Sequence, residues 1–84
     1  MNTIFSLMAE FETGEIPLRN VCDKYLGVDF KTAAYRANKN KLPFPVYRGG
    51  SQKSTWLISA STLAGYIDSK KQEAQIEWER VNAV

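Results

Sequence analysis

The chain has 84 residues, 44% of them hydrophobic and 12% aromatic, and its 11 lysines and arginines against 9 acids leave a net charge of only +2. That length supports one domain with one compact core, and the apolar share is too high for wholesale disorder. Histidine is absent and cysteine occurs once, as Cys22, which excludes Ser-His-Asp and Cys-His nucleophile systems, thiolate or imidazole metal sites and an internal disulfide. No metal site and no cofactor are expected.

The elements follow from periodicity. After Thr3, a capping residue, Ile4, Leu7, Met8 and Phe11 mark one face of a first helix, and Gly14 is read as its stop. Ile16-Pro17-Leu18 is too short for a helix and reads as an extended piece. Val21, Cys22, Tyr25 and Leu26 mark a short second helix closed by Gly27. Asp29 then caps a third helix over about 29–40, with Phe30, Ala33, Ala34 and Ala37 facing inward and Asn40 ending it before Leu42-Pro43. Its other side carries Lys31, Thr32, Tyr35, Arg36 and Lys39. Helix, short turn and helix with a cationic outer face is a helix-turn-helix layout.

Two β-rich pieces come next, Val46-Tyr47-Arg48 and Thr55-Trp56-Leu57-Ile58, joined by the polar run Gly49-Gly50-Ser51-Gln52-Lys53. A hairpin with a basic glycine-rich tip in this place reads as a wing. From Ser59 or Ser61 a last helix carries Leu63, Ala64, Tyr66 and Ile67 and continues past Ala74, Trp78 and Val81, longer than one small core needs. The expected architecture is therefore α+β: a small winged helix-turn-helix over 1–71, with three or four helices and a short antiparallel hairpin, and a helical extension over 72–84 that offers a surface for homo-oligomer contact.

Charge is distributed unevenly along this plan. Lys31, Arg36, Lys39, Lys41, Arg48 and Lys53 fall in 31–53 with no acid among them, while both flanks are net acidic. A basic centre of that kind addresses a polyanion better than the overall charge suggests. Lys31 and Lys39 suit phosphates, Thr32 and Arg36 suit base edges, and Tyr35 suits a sugar, a base methyl or a half-buried packing place. Arg48, Ser51, Gln52 and Lys53 suit an adjacent groove or the backbone. The remaining chemistry, drawn from Asp, Glu, Lys, Tyr and Ser without a phosphate-binding glycine motif, does not suggest an enzyme.

The stretch Leu26-Gly27-Val28, Asp29 to Lys41 and Leu42-Pro43 with the hairpin resembles the winged helix-turn-helix of phage excisionases and MerR-type regulators. A fuller resemblance is to the pyocin activator family of bacterial transcription activators. It is carried by Met1-Asn2-Thr3 leading to Leu7-Met8-Ala9, by Ile16-Pro17-Leu18 leading to Tyr25, and by Leu42-Pro43 through Arg48 and Ser51-Gln52-Lys53 to Leu63-Ala64-Gly65-Tyr66-Ile67-Asp68. This resemblance implies an activator of bacteriocin or phage-derived genes that binds an upstream element of double-stranded DNA after damage-response derepression. Candidate partners are DNA, RNA polymerase and a second copy of the chain. The rival from the excisionase side is an architectural factor that bends DNA for recombination. A third reading is an adaptor for an acidic protein surface. With no apolar run long enough for a membrane span and no cationic leader at Met1-Asn2-Thr3, the expected location is the cytoplasm, at the nucleoid.

Overall fold

A computed structural model describes residues 3–50 and 55–83. Helix α1 spans Thr3–Phe11, strand β1 Glu15–Pro17, helix α2 Phe30–Asn38, strands β2 and β3 Tyr47–Arg48 and Trp56–Ser59, and helix α3 Ala60–Asn82. Between β1 and α2 the chain makes a 3₁₀ turn at Leu18–Asn20 and a π-helical turn at Cys22–Leu26. The three strands form an antiparallel sheet in the order β1-β3-β2. This is a small α+β fold with a winged-helix-turn-helix-like layout.

The core explains the order of elements. Ile16, Leu18, Val21, Ile58 and Leu63 are the largest fully buried side chains, and Leu7, Cys22, Ala33, Ala37, Phe44, Ala60 and Ala64 complete the cluster. Helices α1, α2 and α3, strands β1 and β3 and both turns between β1 and α2 contribute to this one cluster, so the elements are held together by a shared core. Ala33 and Ala37, with small side chains on the inner face of α2, let that helix lie close to the turn before it. Arg19 stacks its guanidinium 4.5 Å from the Phe30 ring centre, a second tie between that turn and α2.

Three expectations are refined. Ile16-Pro17 is extended, as read, but is not left unpaired: Ile16 pairs with Ile58, and Pro17 pairs with Leu57 at an edge where its missing N–H is tolerated, while Leu18 already opens the 3₁₀ turn. The hairpin is therefore two strands of a three-stranded sheet, with β3 in the middle. Nor does the segment after it wind as an α-helix. Its Gly27 N–H reaches the carbonyls of both Asp23 and Cys22, and the Val28 N–H also bonds the Cys22 carbonyl. Finally, α1 ends before Gly14: Glu12 takes the left-handed conformation (φ 58°), and Gly14 instead offers its carbonyl to the Ala60 N–H at 2.8 Å.

Helix α3 starts at the Ser59 cap, whose hydroxyl accepts from the Thr62 N–H at 3.2 Å. It runs unbroken through position 71. Its first turns are buried, Tyr66 and Ile67 are half-buried, and every described side chain from Asp68 onward is exposed. Thr3 donates to Asp68 at 2.6 Å, the last tie between α1 and α3 before the helix leaves the body.

Candidate nucleic-acid interface

Helix α2 is fixed at both ends by its own sequence. At the N-terminus the Asp29 carboxylate accepts from the Thr32 N–H at 2.9 Å and is also bonded by the Thr32 side chain. Those bonds, the side-chain one foremost, hold the Asp29 carboxyl below the usual carboxylate range. At the C-terminus Asn40 is left-handed (φ 54°), the Asn40 N–H bonds the Ala37 carbonyl and the Lys41 N–H bonds the Arg36 carbonyl. This is a Schellman closure with asparagine where glycine is commoner. Just before α2, Gly27 (φ 69°) makes the matching closure of the π-helical turn.

With both ends held, the outward face of α2 is defined. At about 100° per residue, Ala33 and Ala37 mark the buried side, and Lys31, Tyr35 and Lys39 run up the middle of the opposite side. Arg36 lies along one edge of that face and Asn38 along the other. All five are exposed, Tyr35 at 63%. Tyr35 is thus an outer residue and not part of the core, and the Lys39 ammonium stands 5.9 Å from its ring centre. Thr32 is half-buried, and its hydroxyl and N–H both serve the Asp29 cap. The chemistry left to it is its methyl group.

Arg48 has a second function beside the one expected of it. Its guanidinium lies 4.2 Å over the Trp56 ring, and its Nη2 donates to the Asn38 Oδ1 at 2.9 Å. The hairpin is thereby bracketed to the C-terminal turn of α2, so that β2–β3 and α2 hold a set angle. Tyr47, beside Arg48, donates its hydroxyl to Glu15, reaching across the middle strand to β1. That bond, chiefly, raises the Tyr47 hydroxyl above its ordinary pKa. Ser51, Gln52 and Lys53 lie outside the described residues.

Reading the sequence missed Asn38 and Trp56, the two residues that seat Arg48. The signal for Trp56 was available: Arg48 and Trp56 are the last residues before and the first after the loop on facing strands, and such cross-strand pairs interact. Nothing in the sequence marked Asn38, because its role depends on where the hairpin lands. Among the described residues, no cluster of histidine, cysteine, aspartate or glutamate could hold a metal ion, and no helix is long and apolar enough to cross a membrane.

A helix with a cationic outer face, bracketed to a hairpin, gives this small α+β body a winged-helix-turn-helix-like build. Residues 3–74 match the family described as pyocin activator protein PrtN, and the chain belongs to that family. It is thus a transcriptional activator of pyocin genes, a regulatory and not an enzymatic class. No curated protein and no solved structure matches it.

Proposed function

We propose that the protein activates pyocin genes by binding an upstream element of double-stranded DNA, with α2 in the major groove and the β2–β3 wing on the adjacent groove or backbone. The observation that supports this reading is the outward face of α2: Lys31, Tyr35, Arg36 and Lys39 are all exposed, and that face carries no acid. Arg36 has the planar donors to grip a guanine at O6 and N7, and the Thr32 methyl can meet a thymine methyl. Lys31 and Lys39, at opposite ends of the helix, take flanking phosphates, which set register without reading sequence. Tyr35 lies against a sugar or a base methyl between them. Arg48 sets the wing angle, and the Ser51, Gln52 and Lys53 tip reaches phosphate.

Footprinting on the DNA upstream of pyocin genes, at two salt concentrations, tests the proposal. The expected result is one protected element at both salts, with affinity falling at the higher salt because counterion release then gains less free energy. Protection that is uniform over unrelated DNA, or absent at both salts, overturns it.

A further inference from the structure

The second half of α3 is a free helix with a pattern of its own. From Asp68 to Asn82 it is exposed on all sides, and Trp78 and Val81 stand open at 62% and 69%. Ile67, Lys71, Ala74, Trp78 and Val81 recur at spacings of four, three, four and three residues. That spacing gathers them into an arc of about 80° on the helix, the seam of a two-stranded coiled coil. Ile67, Lys71 and Ala74 lie within the residues that match the family, and Trp78 and Val81 lie beyond them.

At its base the seam opens into a hollow of about 290 Å³ lined by Lys24, Tyr25, Tyr66, Ile67, Lys71 and Ala74, among others. The stripe is therefore continuous with a concave apolar floor where the helix leaves the body. Its bordering charges reverse sign along the helix: Lys70 lies at the near end and Glu77 at the far end, on the same side of the seam.

We infer that the occupant of this seam is the same seam of a second copy, with the two α3 helices running antiparallel about an axis near Ala74–Gln75. Self-complementarity carries the choice. In the antiparallel arrangement Lys70 faces the second copy's Glu77, and symmetry supplies the same pair again. The small Ala74 lies near the axis, where the helices must approach most closely. Each Val81 then reaches the hollow beside Tyr25 and Ile67 at the base of the other copy, and each Trp78 lies across the aliphatic stem of the other's Lys71. A parallel pair would set Lys71 directly against Lys71 in the seam and leave Lys70 and Glu77 opposite the neutral Gln75 and Asn82. The antiparallel pair also keeps both α2 faces outside the contact, since α2 contributes nothing to the hollow or the seam.

The test uses the full chain without DNA, so its outcome is separate from the DNA-binding proposal. Sedimentation is expected to show a concentration-dependent dimer, and Trp78→Ala with Val81→Ala is expected to raise the dissociation constant at least tenfold. Both residues are exposed, so the double variant keeps its fold, checked by an unchanged unfolding midpoint. Lys70→Glu alone and Glu77→Lys alone should each weaken the dimer, and combining them in one chain should restore it. In a Cys22→Ala background, mixing Lys71→Cys and Trp78→Cys chains should give a 71–78 disulfide between copies. A monomer at every concentration overturns the inference. So does a Lys71→Cys chain that cross-links to itself in preference to the 71–78 pair, which would mean a parallel arrangement.

Discussion

At the scale of single residues, the proposed docking makes the outer face of α2 separate reading from holding. On that proposal Arg36→Ala should remove two parallel bonds to one base pair, a loss of about 1–3 kcal/mol in discrimination, or roughly tenfold to a hundredfold. Competition between the pyocin element and scrambled duplex measures it, and the scrambled duplex should bind nearly as before. Lys39→Ala should weaken both duplexes alike and lower the salt slope by about one unit, because it removes a phosphate contact and no base contact. Thr32 allows a sharper comparison. Its hydroxyl is already engaged with Asp29, so Thr32→Val, which keeps a methyl, should retain more discrimination than Thr32→Ala. If Arg36→Ala binds the cognate element like wild type, α2 is not the reader.

The elements owe their positions to their ends, and the ends can be tested without DNA. Gly27 has open space around its α-carbon but a left-handed backbone. Gly27→Ala therefore costs only the conformational term of about 1–2 kcal/mol, with no steric addition, and lowers the urea midpoint accordingly. The cap of α2 makes stability depend on pH. Folding lowers the Asp29 pKa, so its contribution is fully present above the unfolded value near pH 4 and is lost as pH falls through the lower folded value. Urea midpoints taken from neutral pH down through that range should show this loss in the wild type. Asp29→Asn should keep the cap and lose that share of the acid slope.

These same ends explain which elements could be foreseen. Asp29, Asn40, Gly27 and Ser59 are residue types whose backbone or side-chain chemistry dictates a boundary, and α2 and α3 begin or end at them. The turn at Cys22–Leu26 was different. Val21, Cys22, Tyr25 and Leu26 span little more than one turn, too short for periodicity to separate a π-helical winding from an α-helical one. For β1 the extended backbone was legible at Ile16-Pro17, and what escaped was its partner: with three residues, one of them proline, only the pairing with β3 makes it a sheet strand. The charges of the site were legible because charge needs no tertiary context. The bracket of Arg48, Asn38 and Trp56 was not, because it exists only once the sheet has set the hairpin against α2.

The whole molecule divides into a packed body and a projecting helix, and its extents of 54 × 28 × 17 Å reflect that division. Burial ends early in α3: Leu63 and Ala64 are the last buried residues, and Tyr66 and Ile67 are half-buried. Leu63→Ala, at 0% exposure, should therefore cost about 2–5 kcal/mol through lost transfer energy and a cavity. Removing everything after Lys71 deletes only exposed side chains and the ion pairs Lys70–Glu73 and Arg80–Glu77, both of them exposed. Exposed pairs of this kind contribute little. The shortened chain should accordingly unfold cooperatively with a midpoint close to that of the full chain. On DNA the two proteins should part company. On the proposed docking a single site engages only α2 and the wing, so its affinity should be unchanged, whereas two adjacent sites held by linked copies should gain from effective concentration. Loss of the projecting helix should reduce occupancy of the paired site by about a hundredfold or more while leaving the single site as it was. Equal losses on both sites would place the distal helix in the DNA contact itself, and no loss on either would mean that each copy acts alone.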